Sequence, residues 1–370
     1  KNPCSTADPI LAVNSLPSTT TTDESANVSF RGSGPGETGV FLDGVPIYDF
    51  VRFSQLNGIG TLSVFSTDLV GSVQVFPGNP PLEFGNVSSG LIAIETSETI
   101  PKNQPKTLTL SLASVGGSFT TAIGQNQRLH VYANYQPSGV FRALNETALE
   151  DILSFESAEN GIQYVNQIND HWKLKIFNYA QLEGYDFNYQ SPTFNGVFEQ
   201  NKKRNLSTLN LSRSFRWSRI KFLAGTNFSD IDFAYSRTQI SIQSQDVYGA
   251  INYQFEIGKI GMNSGISFDH RRQLFNGTVP QFSFAERAED PHISIQSDNS
   301  RTVKESFSYL KYDITPKLVA GVAFRKNFPS RKKRNYLARQ MNLSYQFTDN
   351  WKLNAAYGTF YRSILSSTEN

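Results

Sequence analysis

From Thr107 onward the sequence alternates apolar and polar residues with a period of two, and nothing else in it limits the fold so tightly. Thr107–Ser114 puts leucines on one face of an extended chain and hydroxyls on the other. The pattern returns at Arg128–Tyr135, Trp172–Ala180, Leu206–Phe215, Ile220–Asn227, Val247–Phe255, Ile260–Phe268, Ser306–Ile314, Leu318–Phe324, Met341–Phe347 and Leu353–Phe360. Strands of about this length, tilted, are what a bilayer requires. Many end in Tyr or Phe beside a polar turn, where a membrane–water interface accommodates aromatic rings. Short turns such as Thr348-Asp349-Asn350 alternate with longer polar segments, Pro137–Asp170 and Asn276–Ser300 among them. A barrel with turns at one end and loops at the other has that rhythm. A soluble antiparallel sandwich alternates too, so the pattern alone leaves both open.

Composition keeps the membrane reading in play. Apolar residues are 38% of the chain, with 28 Phe and 16 Tyr but only 2 Met. No run of about 18 apolar residues exists, which excludes a transmembrane helix but not strands with a polar lumen face. The 34 basic and 32 acidic side chains nearly cancel, so no overall charge draws the chain to nucleic acid. Cys4 stands alone and forms no internal disulfide. His130, His171, His270 and His292 lack metal-ligand spacing, and Asp186, Asp230 and Asp232 are too loosely spaced for a calcium site. With no nucleophile elbow and no phosphate-binding loop either, no enzyme activity, metal or cofactor is expected. The run Arg331-Lys332-Lys333-Arg334 lies between two strands, as a solvated basic loop or a contact for lipid phosphates.

Residues 1–100 have a different texture. Apolar segments at Val28–Phe30, Gly39–Leu42, Ser72–Phe76 and Leu91–Thr96 are separated by turn chemistry, above all Asp43-Gly44. Pro77–Pro81 cannot continue a strand and forms a loop. Ser63–Val70 carries the pattern of a short helix capped by Ser63 or Ser66, which makes this stretch small mixed α/β. Gly32, Gly34 and Gly36 fit positive φ or a close backbone approach.

Phe30-Arg31-Gly32, Phe41-Leu42-Asp43-Gly44-Val45-Pro46, Leu82-Glu83-Phe84-Gly85 and Leu91-Ile92-Ala93-Ile94-Glu95-Thr96 follow one another in an order and spacing that resembles the plug of a TonB-dependent outer-membrane receptor. The variant common in Bacteroidota is the most similar. The resemblance covers about 70 residues by motif and the rest by texture. It implies a plug at residues 1–100 and an all-β, antiparallel transmembrane barrel at 101–370. It also implies active import of a nutrient (iron chelate, cobalamin, glycan or peptide) across the outer membrane of a Gram-negative bacterium. The partners implied are the energy-transducing TonB protein and outer-membrane lipids, and the variant admits a surface lipoprotein. The alternative is a receptor-like structural subunit of a larger outer-membrane assembly.

By the same resemblance, Arg31 and Gly32 belong to the plug–barrel contact, with Arg31 facing barrel carboxylates; a solvated surface arginine is the plain alternative. Asp43, Gly44, Pro46, Phe84 and Gly85 belong to plug turns. The apex loop, with Tyr48, Asp49, Phe50, Arg52, Phe53 and Gln55, either binds ligand or packs on the barrel wall. Two departures stand out. Pro77-Gly78 occupies the place of a second basic contact, and no TonB-contacting box is evident before the plug. The family closes 22 strands, whereas about 265 residues suffice for some 12 or 13, so a partial barrel is expected.

Overall fold

The structure, a computed structural model, describes residues 8–20, 25–54, 60–101, 103–111, 114–147, 149–190, 195–235, 237–281, 291–328 and 335–363, without the side chains of Pro35 and Asn195. Cys4, Gln55 and the Arg331–Arg334 run lie outside the described residues.

The N-terminal unit is built on a four-stranded sheet in the order β2 (Val45–Pro46), β1 (Gly39–Leu42), β6 (Leu91–Thr96) and β5 (Val70–Phe76). A separate pair, β3 (Val51–Arg52) with β4 (Leu62–Ser63), lies beside it. The Leu91–Ile94 run fills the central strand because β6 is sandwiched, parallel to β1 and antiparallel to β5. Phe30, Val40, Leu42, Ile92 and Ile94 form its core, which continues into Tyr132, Phe177, Tyr179 and Leu206 of the surrounding wall. No α-helix forms at 63–70, where a short one was expected: Ser63 is drawn into β4 opposite Val51 and gives its N–H and hydroxyl to Asp8, at 2.6 and 2.8 Å. Among the described residues of this unit, helical structure is limited to 3-10 turns at Leu11–Ser15 and Pro35–Glu37. Val28–Phe30 contributes a single bridge, Phe30 to Thr19, in place of a strand.

The remainder is one antiparallel meander of 13 strands in sequence order. It runs β7 (Lys106–Leu110), β8 (Val115–Ala122), β9 (Gln127–Pro137), β10 (Ile152–Gln167), β11 (Trp172–Gln190), β12 (Asn195–Ser214) and β13 (Ser218–Tyr235). It continues through β14 (Thr238–Ile257), β15 (Ile260–Pro280), β16 (His292–Thr315), β17 (Leu318–Asn327), β18 (Leu337–Gln346) and β19 (Lys352–Thr359). β7 and β19 are its two edges and do not pair with each other among the described residues. Pro137–Asp170, expected as a loop, contains a helix (Gly139–Leu144) and all of β10. Strand β10 escaped because its outward residues, Ser154, Glu156, Ala158 and Asn160, are as polar as its inward ones. The polar Asn276–Ser300 stretch is largely strand too, in register from Pro280 with His292 onward.

The sheet is inside out relative to a soluble protein. Ile176, Phe222, Ile251, Ile266, Leu310, Phe324, Met341 and Leu353 are exposed on its outer face, while Lys175, Gln181, Lys202, Arg204, Asn227, Asp269, Arg301 and Arg325 are buried inward. That inversion suits hydrocarbon outside and a polar lumen within. Trp172, Trp217 and Trp351, the only tryptophans, lie at the short-turn end, and Arg213 and Arg216 stack on the first two at 5.1 and 4.8 Å. Rings belong at such an interface. Strands β11 to β16, 18 to 24 residues long, outrun the ~9–11 a tilted crossing uses. Their surplus stands beyond the bilayer at the opposite end.

Candidate functional site

The inner unit is seated on the wall through charge. Asp43 and Gly44 form a two-residue hairpin turn with φ of 51° and 85°, the doubly positive geometry that Asp-Gly accepts. Asp43 is only 1% exposed. Its carboxylate accepts the Thr96 N–H at 2.9 Å and hydroxyl at 2.8 Å, and Lys175 of β11 reaches it at 2.7 Å. Lys175 also meets Glu98 at 2.9 Å and Glu95 at 3.4 Å, and Lys173 meets Glu98 at 2.7 Å. Burial, then the Asp43 charge, pushes the Glu95 carboxyl up. Burial would raise Glu98 as well, but the Lys173 hydrogen bond and the Lys175 charge outweigh it and hold its carboxyl at about 2.

The second contact is the turn from Tyr48 to Ser54. Asp49 lies between Lys202, at 3.0 Å, and Arg204 of β12. Burial opposes its charge, yet Arg204 and Lys202 together keep the carboxyl well below the usual carboxylate range. Lys202 also donates to the Val51 carbonyl and the Ser54 hydroxyl, both at 3.3 Å, and Arg204 to Val51 at 3.4 Å. Arg52, 7% exposed, reverses the polarity and pairs with Glu159 of β10 at 3.0 Å. Phe53 adopts φ 49° and gives its N–H to both Glu183 oxygens at 3.0 Å. Tyr48 donates to Asp269 of β15, with the Arg271 guanidinium 3.8 Å above its ring. Burial, then the Asp269 charge, lifts the Tyr48 phenol well above its ordinary range.

The third contact is the loop after β5. Arg325 of β17 donates to the Leu82 and Glu83 carbonyls at 2.9 and 3.2 Å while paired to Glu305 of β16. Gln340 of β18 donates to the Asn79 and Pro80 carbonyls, both at 3.1 Å. Phe84 turns inward, edge-on to Phe41 at 4.9 Å, so that Gly85 faces the Arg325–Glu305 pair. A β-carbon at Gly85 would overlap that guanidinium, which is why this aromatic–glycine pair requires glycine.

The expected residues divide accordingly. Asp43, Tyr48, Asp49, Arg52 and Phe53 come together on the wall. Phe50, 6% exposed, is core, and Pro46 pairs with Phe41 in the hairpin. Arg31 is exposed, lies over Gly78, and pairs with no barrel carboxylate among the described residues. Only Gly32 of its three glycines has positive φ, at 79°, and none is crowded, so they press on no wall. The guanidinium nearest Gly78 is that of Arg31 in the plug itself, while Arg325 of the wall meets the same loop further on, at Leu82 and Glu83. The wall residues Lys175, Lys202, Arg204, Glu159, Glu183 and Arg325 were not singled out in the sequence. Their signal was parity: each is a charge on the lumen-facing phase of an alternating strand.

Residues 6–91 match the sequence family described as TonB-dependent Receptor Plug Domain. No curated protein sequence matches the chain closely enough to count as a relative. Among solved structures, the ferric enterobactin receptor PfeA of Pseudomonas aeruginosa aligns with a TM-score of 0.66 at 13% identity, over 99% of this chain and 60% of its own. The siderophore receptor PirA of Acinetobacter baumannii gives 0.69 at 13% identity, over 98% and 60%. The ferric yersiniabactin uptake receptor FyuA of Yersinia pestis gives 0.71 at 13% identity, over 95% and 62%. At these identities the likeness is one of fold, and the chain spans about 60% of the length of these receptors.

Proposed function

We propose that this chain, a TonB-dependent receptor of the outer membrane by its plug domain and its fold, carries the gate of an importer for an iron chelate. Solved receptors that it resembles in fold are named for ferric enterobactin, ferric yersiniabactin and siderophores, which favours iron chelates over cobalamin, glycans or peptides. The observation that carries the reading is how the plug is held. It is held on the wall by ion pairs and hydrogen bonds from Asp43, Asp49, Arg52 and the Asn79–Glu83 loop, beside apolar contacts with Tyr132, Phe177, Tyr179 and Leu206. The ionic contacts can be exchanged for water or a competing charge as the plug shifts. Such a seating suits a stopper that must leave and return.

In this scheme a chelate arrives at the long-strand end, above the Tyr48–Ser54 turn. TonB, engaging the plug from the opposite side, pulls on it, and force is borne first by the Asp43–Lys175 and Asp49–Lys202–Arg204 contacts. Once these part, the plug shifts and the chelate passes unaltered. The outward apolar face, meanwhile, is the surface for membrane lipid. The test is radioiron uptake by cells producing the full receptor, supplied with a panel of ferric chelates. Uptake of one chelate that disappears on deleting either the receptor or TonB is expected. Uptake indifferent to TonB, or none from any chelate in iron-starved cells, overturns the reading.

A further inference from the structure

At the short-turn end, the outward face of the wall carries two arginines set among aromatic rings. Arg213, exposed, stands between two of them, 5.1 Å from the ring of Trp172 and 4.7 Å from that of Phe215. Arg216, also exposed, lies over Trp217 at 4.8 Å. Neither pairs with a carboxylate among the described residues. The carboxylates of the adjoining turns are engaged elsewhere. Glu256 meets Lys311 at 3.6 Å, and Asp170 lines a cavity on the lumen side with Lys173 and Lys175. The other short turns Gly258-Lys259 and Pro316-Lys317 offer one lysine each and no ring.

Both guanidinium groups are held in place. The hairpin between β12 and β13 is tight, with the Phe215 N–H donating to the Ser218 carbonyl at 2.7 Å. It is pinned on either side, since the Ser214 N–H donates to the His171 carbonyl at 2.8 Å and the Glu256 N–H to that of Trp217 at 3.0 Å. A guanidinium stacked on a fixed ring keeps its plane and loses less freedom when it binds an anion. Strand register sets what lies above. Trp172, Arg213 and Ile220 face one another on adjacent strands, and two residues further into the membrane Leu174, Leu211 and Phe222 do the same. Positive charge and rings therefore stand at the water boundary, with an apolar row directly above them. A phospholipid standing in the same leaflet has the matching polarity, phosphate at the boundary and acyl chains toward the membrane centre.

We propose that Arg213 and Arg216, framed by Trp172, Phe215 and Trp217, form a binding site for an anionic phospholipid of the periplasmic leaflet, the side on which barrels of this kind place their short turns. The lipid phosphate accepts hydrogen bonds from the guanidinium groups, and the acyl chains lie along Leu174, Leu211 and Phe222. Two cations beside one phosphate favour a headgroup of net negative charge, because the ammonium of a zwitterionic headgroup meets the second guanidinium. The site concerns how the wall is seated in the membrane and is independent of what the receptor imports.

The test immobilises the full receptor in detergent and titrates it with mixed micelles holding tritiated phosphatidylglycerol or phosphatidylethanolamine of the same acyl chains. Phosphatidylglycerol should bind about tenfold more tightly, the scale expected of two arginines at a membrane surface. In the double variant Arg213→Gln/Arg216→Gln that preference should fall to within about twofold. Lys259→Gln/Lys317→Gln removes the same charge from two other short turns and should leave the preference intact. Heat-modifiable gel migration checks that each variant is folded, and both arginines are exposed, so the fold does not rest on them. Inorganic phosphate in large excess should leave the bound lipid in place. Equal binding of the two lipids to the wild type, or a preference that survives loss of both arginines, overturns the proposal. A preference lost equally in the lysine variant overturns it too, since overall charge would then be the cause. Displacement of the lipid by inorganic phosphate overturns the lipid assignment in favour of a site for the free anion. None of these outcomes bears on uptake, which is read separately in cells.

Discussion

Asp49→Asn removes one charge and leaves two buried cations without their anion, so it isolates the contribution of charge to seating the plug. In the structure one carboxylate serves both Lys202 and Arg204, whose side chains are 0% exposed. Removing one partner of a buried ion pair costs about 3–5 kcal/mol. Here the Val51 carbonyl and the Ser54 hydroxyl remain as acceptors at 3.3–3.4 Å, which sets the figure at the lower end. About 3 kcal/mol raises the population of the unseated plug roughly 150-fold. Limited proteolysis of the receptor in detergent reads that population directly when reseating outpaces cleavage. Plug cleavage should accelerate by about two orders of magnitude, with the strands unaffected. A triple variant, Asp49→Leu/Lys202→Met/Arg204→Met, has no charge to strand and should return cleavage to near the wild-type rate. Cleavage of Asp49→Asn within about twofold of wild type would refute the reasoning, because some contact other than this cluster would then be holding the plug.

Three further expectations follow from the same contacts. Gly85→Val drives a side chain into the Arg325–Glu305 pair and should destabilise the seated plug by about 1–3 kcal/mol, read as faster proteolysis after Phe84. Ile266→Arg places a charge on the outward face some six residues from the short-turn end, near mid-membrane, and should cost about 2–4 kcal/mol in urea-induced unfolding from lipid vesicles. Glu98, held at about 2 against an ordinary 4.5, binds its proton less readily folded than unfolded. Its contribution is therefore complete above about pH 4.5 and is lost as pH falls toward 2. Because its side chain is 38% exposed, the effect is screened to under about 1 kcal/mol, and Glu98→Gln should flatten that part of the acid limb in unfolding midpoints.

The strands of this fold announce themselves where one face is apolar and the other is not, as in Ile220–Asn227 or Leu353–Phe360. They go unseen where both faces are polar, as in β10, or rich in glycine and threonine, as in β8. Asp43-Gly44 was legible as a turn because its constraint is local. Its pairing with Lys175 was not, since the two are 132 residues apart in sequence and only the closed fold joins them. Arg31 misled for the converse reason: a motif identifies which positions matter, while the partner facing each position depends on the wall of the particular chain. Here the wall offers lysine and arginine, and the plug answers with aspartate.

That arrangement has an electrical consequence for the passage itself. Where plug and wall touch, the wall's cations outnumber its unshared anions, and the plug carries the balancing carboxylates of Asp43, Asp49, Glu95 and Glu98. With the plug in place the seam is close to neutral. A plug that moved as proposed above would take those carboxylates along and leave Lys173, Lys175, Lys202 and Arg204 lining the path. On the import scheme proposed above, that path would keep an excess of positive charge even with Glu159 and Glu183 beside it, a field that favours an anionic solute and the return of the plug.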